Sequence, residues 1–224
     1  MDTKPEILPV HRSKDQARRS YDKLSHWYDL LAGSAEKKYK LAGVELLDPQ
    51  LGESILEIGF GTGQMLLPLA KRVGEDGVVS GIDLSPGMLV VAEKKLTRAG
   101  LADRVTLTNG DAAQLPYPNA GFDAVYSSFT LELFDTPEIP QVLAECRRIL
   151  KASGRICIVA MTKSAPPGLM TQLYEWSHRN FEAYADCRPI YPARSLADAG
   201  FQITETRQMS MFGLPVEIVL GQKG

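Results

Sequence analysis

The segment Ile55-Leu-Glu-Ile-Gly-Phe-Gly-Thr-Gly-Gln64 decides the fold of this chain. Its apolar residues predict a short buried strand, which three alternate glycines end, and residues 65–73 then predict a helix. Glycine permits positive φ and has no Cβ, so a ligand can press against the backbone of such a turn. The first turn of the helix also offers free N–H groups to an anion. Together these features predict a nucleotide-binding site.

The spacing of the glycines indicates which nucleotide binds. A dinucleotide fingerprint is G-x-G-x-x-G, whose third glycine lets helix and strand pack closely. Here the pattern is G-x-G-x-G, with Gln64 in place of that third glycine and an acidic residue before the turn. This pattern resembles motif I of the class I S-adenosylmethionine (SAM)-dependent methyltransferases, whose loop wraps the methionine part of SAM. The resemblance implies cofactor contacts from Glu57, Gly59, Gly61 and Gly63. The alternative is a glycine-rich turn that binds no ligand.

A second predicted strand begins at Val78 and ends on Asp83. An acid about 20 residues beyond a glycine loop can hydrogen-bond both ribose hydroxyls. Ser85 followed by proline then predicts a helix start. The pattern D-L-S-P-x-M-L is similar to that of the UbiE-like, quinone-biosynthesis group of these methyltransferases. The resemblance implies that Asp83 binds the ribose and that Leu84 and Met88 lie against the adenine, although core packing is the alternative for Met88.

Two further stretches agree with the same family. Residues 104–112 alternate like a strand and end on Gly-Asp-Ala. The resemblance implies that Asp111 accepts a hydrogen bond from the adenine amino group, beside Ala112. Residues 121–131 resemble the F-D-x-V strand beneath the cofactor, which places Ser128 among the cofactor-binding residues. Four motifs thus occur in the family's order along the chain.

The N-terminal stretch YDKLSHWYD, residues 21–29, is similar to a signature of the same group. In that group the segment folds over the cofactor and shapes the acceptor pocket. The resemblance therefore implies that Tyr21 and Tyr28 contact SAM or line this pocket. The alternative is that Tyr28 buries an apolar helix face with Trp27. His26 is better interpreted as a surface or capping histidine than as a base.

The fold prediction is a three-layer α/β sandwich with a seven-stranded, mostly parallel sheet. Residues 202–209 and 215–220 predict two strands joined by a turn, which form a closing antiparallel hairpin typical of class I methyltransferases. We expect a single methyltransferase domain in four parts: an N-terminal helical cap (1–48), a cofactor-binding core (49–162), an acceptor-side insertion (163–191), and a closing helix and hairpin (192–224). A plain connecting helix with packed aromatics is the alternative for the insertion.

Composition limits the function classes. The chain has 224 residues, 44% of them apolar, and a formal net charge of −2, which gives no electrostatic case for a nucleic-acid partner. Its three cysteines lie outside any metal-ligand or disulfide spacing, so we expect no metal site. No apolar run approaches the roughly 18–20 residues that span a bilayer. The N-terminal 15 residues are polar, and we expect a cytoplasmic protein.

Methyl transfer to carbon requires an activated acceptor, so a base is sought near the methyl group. The end of the predicted 121–131 strand, from Ser128 to Glu132, should lie nearest to the methyl group. The candidate bases are Glu132, His178, His26 and Tyr28.

The resemblance covers roughly residues 20–160 and implies ring C-methylation of a quinone-type precursor. One alternative is a phospholipid or small-molecule N- or O-methyltransferase, because lipid acceptors are shared and the N-terminal helix could rest on a bilayer. A second alternative is a non-catalytic SAM-binding protein. Gln64 and the closing hairpin argue against an NAD(P)-dependent reductase. The sequence leaves the oligomeric state open.

Overall fold

The computed structural model describes residues 34–163 and 188–224, together with Ile7, Gln16, Arg18, Arg19 and Asp22. The helices are α1 (Ser34–Leu47), α2 (Leu66–Val73), α3 (Pro86–Arg98), α4 (Ile139–Ile149) and α5 (Pro192–Asp198). The strands are β1 (Ser54–Ile58), β2 (Val78–Asp83), β3 (Val105–Asn109), β4 (Phe122–Ser128), β5 (Leu150–Met161), β6 (Phe201–Met211) and β7 (Leu214–Lys223). Short 3-10 turns lie at Ala102–Arg104 and Leu131–Leu133.

The seven strands form one sheet in the order β3-β2-β1-β4-β5-β7-β6. Strands β1 to β5 run parallel, and β7 runs antiparallel to both of its neighbours. The strand order reverses at β1, which has β2 on one side and β4 on the other. In open sheets of this kind, ligands bind at the carboxyl ends of the strands beside such a reversal. The predicted mostly parallel sheet with a closing antiparallel hairpin is confirmed.

Successive residues of a strand place their apolar side chains in two separate cores, one on each face of the sheet. Ile55 in β1 packs in one core with α1, α2 and α3, whereas its neighbour Leu56 packs in the other core with α4 and α5. Successive side chains of a strand point to opposite faces, so a sheet covered on both faces needs apolar residues at both. The result is three layers, with the helices outside and the sheet between them, as the sequence predicts.

Close contacts fix helix α1 to the face of the sheet that also carries α2 and α3. A Cβ atom added to Gly43 would collide with Val159 of β5, so the helix backbone lies directly against the strands. The hydroxyl of Tyr126 in β4 donates to the carbonyl of Lys40 at 2.7 Å. The hydroxyl of Tyr39 donates to the carbonyl of Ser210 in β6, 171 residues away in the chain. These contacts hold Lys40 close to β1 and β4.

The boundary between α4 and β5 differs most from its prediction. The sequence predicts a helix over 137–151 and a strand from Arg155, but α4 ends at Ile149 and β5 begins at Leu150. Leu150 pairs with Phe122, and the next pair is Ala124 with Arg155, so residues 151–154 form a bulge in β5. Lys151 in this bulge binds Asp123 of β4 at 2.8 Å. The ion pair fixes the bulge inside the sheet, where a helix end was expected.

Within the described ranges, no helix is long and apolar enough to cross a bilayer. Among the same residues, no group of histidine, cysteine and acidic side chains could hold a metal ion. The predicted division of the chain at residues 48, 162 and 191 stays a prediction.

Candidate active site

The glycine loop after β1 opens to solvent at one glycine. Gly59, Gly61 and Gly63 all have positive φ, at 70°, 53° and 76°. The space beside Gly59 is filled by the side chain of Thr130, and a Cβ on Gly63 would lie 3.0 Å from the Cβ of Ala92. A Cβ on Gly61 would have no atom of the described residues within 4 Å. Packing of the protein itself therefore explains two of the glycines, and Gly61 alone of the three faces space that a ligand can fill.

Asp83, at the end of β2, joins the glycine loop to the start of α3. Its Oδ2 accepts from the amide of Gly61 at 2.8 Å, and its Oδ1 accepts from the amide of Ser85 at 2.9 Å. Each carboxylate oxygen has a second lone pair and can still accept a hydroxyl. Burial raises the pKa of Asp83, the amides of Ser85 and Gly61 oppose that rise, and the nearby charge of Asp22 adds to it.

Glu57 is a buried acid in the middle of the predicted motif. It lies on β1, its side chain is 2% exposed, and its Oε2 has no hydrogen-bond partner among the described residues. Burial raises its pKa well above the ordinary value, Lys40 lowers it and Asp83 raises it further. A carboxyl group in such a place is expensive to ionise unless a cation reaches it.

Glu132 lies beyond the carboxyl end of β4, in the 3-10 turn Leu131–Leu133, and is completely buried. Its Oε1 accepts from the amide of Met161 at the end of β5, at 3.2 Å. Its Oε2 has no hydrogen-bond partner among the described residues. Burial raises the pKa of Glu132 to about 8, with the Met161 amide and Lys40 lowering it and Glu36 raising it. It is the one predicted base that the described residues include.

Lys40, on α1, lies close to both Glu57 and Glu132, two buried acids whose Oε2 has no hydrogen-bond partner among the described residues. Its Nζ lies 2.8 Å from Glu36 Oε2 and 5.9 Å from the centre of the Phe129 ring, and its charge acts on both Glu57 and Glu132. One lysine thus faces three buried acids. The sequence analysis missed Glu36 and Lys40, although their i, i+4 spacing places them on one helix face. Such a pair is more common on exposed helix faces, so the spacing alone did not mark it as buried.

Arg188 is completely buried and anchors the turn that carries Glu132. Its Nη1 donates to Thr136 Oγ1 at 3.0 Å, and its Nη2 donates to the carbonyl of Phe134. The predicted acceptor-side insertion ends at residue 191, so Arg188 in its C-terminal part contacts the segment that follows the Glu132 turn.

The predicted adenine-binding residues lie at the carboxyl ends of β2 and β3. Asp111 is half-buried, and its Oδ1 accepts from the amide of Ala113 at 2.9 Å. Leu84 is half-buried, whereas Met88 is 2% exposed and packs in the core with α1 and α2. The adenine contacts of these residues and of Ala112, which is buried on the opposite face, stay predictions.

The remaining predicted site residues divide into two groups. Ser128 is buried at the end of β4, where its carbonyl accepts from Thr130 Oγ1 at 3.1 Å. Tyr21, His26, Tyr28 and His178 lie outside the described residues.

Residues 55–154 match the family described as a methyltransferase domain. A demethylmenaquinone methyltransferase of Listeria monocytogenes serotype 4a is 31% identical over 159 residues, which cover 71% of this chain and 65% of the relative. The enzyme of the same name from Desulfitobacterium hafniense is 26% identical over 242 aligned positions, covering 97% of this chain and 95% of the relative. The chain has the domain and the fold of a SAM-dependent methyltransferase.

Solved structures agree on the fold of this methyltransferase. A SAM-dependent methyltransferase from Aquifex aeolicus superposes with a TM-score of 0.64 at 22% identity, covering 92% of this chain and 98% of that one. The [4+2]-cyclase SpnF superposes with a TM-score of 0.77 at 20% identity, covering 98% and 99%. The second neighbour is titled as a cyclase, so likeness of fold does not by itself assign methyl transfer.

The described residues of the methyltransferase fit its cofactor. SAM carries an ammonium group, a sulfonium, two ribose hydroxyls and an adenine. The orphaned oxygen of Glu57 suits the ammonium group, the open space at Gly61 suits the aminoacyl chain, and the remaining lone pairs of Asp83 suit the hydroxyls.

Proposed function

We propose that this methyltransferase methylates a ring carbon of a quinol-type acceptor, of the kind named for its demethylmenaquinone methyltransferase relatives. The resemblance to the Desulfitobacterium hafniense relative extends over 97% of the chain, which supports an acceptor of the same class. The match to the Listeria relative spans 65% of that protein, so its activity is carried over as part of this proposal. A prenylated acceptor would also account for the predicted peripheral contact with a membrane.

The observation that carries the proposal is the buried carboxyl group of Glu132. A ring carbon becomes nucleophilic when a neighbouring hydroxyl loses its proton, so the reaction requires a base. A base works best when its pKa lies near the working pH, and burial raises the pKa of Glu132 to about 8. Its free Oε2 can accept the hydroxyl proton while Oε1 stays bound to Met161.

Each side chain has a separate part in this mechanism. When bound, SAM supplies an electrophilic methyl group. Asp83 and Glu57 hold and orient the cofactor, which brings acceptor and methyl group into line and lowers the barrier by as much as about 7–11 kcal/mol. Glu132 takes the hydroxyl proton of the acceptor and returns it to the oxygen when the methylated ring carbon loses its own hydrogen as a proton. Lys40 stabilises the carboxylate from which the first transfer starts. The buried position of Glu132 excludes water from the proton transfer.

The test is transfer of the labelled methyl group of SAM to a 2-prenyl-1,4-naphthoquinol. The wild-type chain should methylate the quinol and leave the oxidised quinone unchanged, because the quinone has no hydroxyl proton to remove. Glu132→Gln should lower kcat by about 100- to 10,000-fold while SAM affinity stays within about 3-fold, since a base acts after binding. Glu217→Gln, on β7 beside Gln208, is the control and should keep full activity.

Other outcomes would select the alternatives. Methylation of an aminophospholipid in vesicles, with the quinol unchanged, would replace the proposal with N-methylation, which needs no base of this kind. SAM binding without transfer to the quinol or the phospholipid would favour a non-catalytic SAM-binding protein. Full activity of Glu132→Gln on the quinol would remove Glu132 from the mechanism.

A further inference from the structure

Asp22 touches the cofactor site from the N-terminal part of the chain. Its Oδ1 accepts from the hydroxyl of Ser85 at 2.5 Å and from the amide of Gly87 at 2.9 Å, across 63 and 65 residues of sequence. Ser85 is the N-cap of α3, and its hydroxyl oxygen accepts from the amide of Met88 at 3.1 Å. Asp22 therefore extends the cap of α3 and places a negative charge at the helix start, where the helix dipole favours it.

Gly87 provides independent support for this contact. A Cβ added at Gly87 would lie 3.0 Å from the Cα of Asp22 and 3.1 Å from its Oδ1. Glycine lowers the stability of a helix, so its presence in the first turn of α3 needs a reason. The close approach of the Asp22 backbone supplies that reason, because even a Cβ atom at position 87 would require Asp22 to move by a few tenths of an ångström.

We propose that Asp22 is a positioning residue for the cofactor site, where it holds Ser85 and the first turn of α3 in the place that lets the Ser85 amide fix Asp83. The two contacts share one residue, since the amide of Ser85 binds Asp83 and its hydroxyl binds Asp22. A change that holds Ser85 more firmly through one of these hydrogen bonds therefore also favours the other hydrogen bond. Linkage is reciprocal, so cofactor binding and docking of Asp22 strengthen each other by the same factor.

This inference rests on SAM as the cofactor and is independent of the acceptor. Titration of the wild-type chain with SAM tests the cofactor, whereas comparison of the variants tests Asp22. Asp22→Ala should weaken SAM binding by about 5- to 150-fold, the range of typical coupling between sites. Asp22→Asn keeps the accepting Oδ1 and should stay within about 3-fold of the wild type at pH 8. Wild-type affinity in Asp22→Ala would overturn the inference.

Gly87→Ala gives the matched perturbation, because it pushes Asp22 away without altering a charge. It should weaken SAM binding in the wild-type background and have little further effect in Asp22→Ala, where the segment is no longer held. Without SAM, the unfolding temperature supplies a second readout. If Asp22 did not contact α3, Gly87→Ala should raise the unfolding temperature, because alanine favours a helix more than glycine does. Such a rise, together with additive effects of Gly87→Ala and Asp22→Ala on SAM binding, would contradict the proposal.

The pH dependence of binding separates positioning from plain packing. Burial raises the pKa of Asp83, and among the described residues the charged groups acting on it are Asp22 and Glu57. Asp22→Asn removes one of them, so the pKa of Asp83 should fall. SAM affinity should then persist to lower pH than in the wild type. An unchanged pH midpoint would mean that Asp22 only packs against α3.

Discussion

The acidic side chains at the amino ends of the parallel strands differ from those at the carboxyl ends. These two ends of the sheet are called its amino edge and its carboxyl edge. At the amino edge, Glu53 binds Arg155 through two hydrogen bonds of 2.7 and 2.8 Å, and Asp123 binds Lys151 at 2.8 Å. Burial tends to raise the pKa of both acids, but these partners, with backbone amides, outweigh it and the pKa of each is lowered. At the carboxyl edge, burial raises the pKa of Glu57, Asp83 and Glu132.

This difference indicates which edge stabilises the fold and which edge binds ligands. Paired acids with lowered pKa values contribute to stability at neutral pH. Buried acids with raised pKa values destabilise the free protein, and such groups cluster at functional sites. The carboxyl edge also has the open space beside Gly61. The amino edge therefore supports the fold, and the carboxyl edge has the buried acids that the proposed cofactor binding and proton transfer require.

The largest expected effect is that of Gly61→Val. The new side chain would fill the space beside the loop and weaken SAM binding by about 100-fold or more, equivalent to roughly 3 kcal/mol of overpacking. Gly100→Val is the control, because Gly100 also has positive φ, at 67°, and no atom near a built Cβ. Both variants should lose about 1–2 kcal/mol of stability, but calorimetric titration should show lost SAM binding only for Gly61→Val. Tight binding by Gly61→Val would place the ligand elsewhere.

A smaller effect compares one acid from each edge. Asp83→Ala should weaken SAM binding by about 2–4 kcal/mol, or roughly 30- to 1,000-fold in Kd, through loss of the ribose contacts. Asp123→Ala should leave Kd unchanged and lower the free energy of unfolding by about 1 kcal/mol, because the amide of Ser54 and Lys151 lose their acceptor. Titration and denaturant unfolding of both variants measure these effects. Equal losses of affinity would remove the distinction between the edges.

The two sets of acids also predict a difference in the pH dependence of stability. Folding raises the pKa of Glu132 from 4.5 to about 8, so between these values the folded protein holds a proton that the unfolded chain has released. This contribution makes stability fall as pH rises, by at most about 1.4 kcal/mol per unit, until pH 8. Glu132→Gln should therefore be more stable than the wild type at pH 8, with the advantage shrinking towards pH 5.

Asp123→Asn should show the opposite sign. The pKa of Asp123 is lowered on folding, so its contribution is present above its ordinary pKa of 3.8 and is lost in acid. The variant should be less stable than the wild type at pH 7, and the difference should disappear as pH falls below the lowered pKa. Parallel stability curves for the two variants would contradict the division between edges.

Local patterns were enough to predict the sheet and the elements that meet at its carboxyl edge. The glycine loop after β1, the acid at the end of β2 and the capped start of α3 are each encoded within a few residues, so the sequence predicts them directly. The parallel order follows from alternating strands and helices. The closing hairpin follows from two strand patterns with Phe212-Gly213 between them.

Contacts between distant parts of the chain could not be predicted in this way. Lys40 on α1 reaches Glu57 and Glu132 only because Gly43 lets the helix lie against β5. Gly87 is explained only by Asp22, 65 residues earlier. The start of β5 depends on an ion pair across strands. Each of these features rests on tertiary packing, which spacing in one sequence does not encode.

The hydrogen bond from Tyr39 to Ser210 has a consequence for biosynthesis. The ribosome makes the chain from its N-terminus, so α1 is complete long before β6 exists. Until β6 and β7 emerge, α1 lacks part of the surface that holds it, although Tyr126 of β4 already binds the carbonyl of Lys40. A nascent chain that stops before residue 201 therefore carries the whole glycine loop but only part of the packing around α1. That packing is complete only when β6 and β7 have been synthesised.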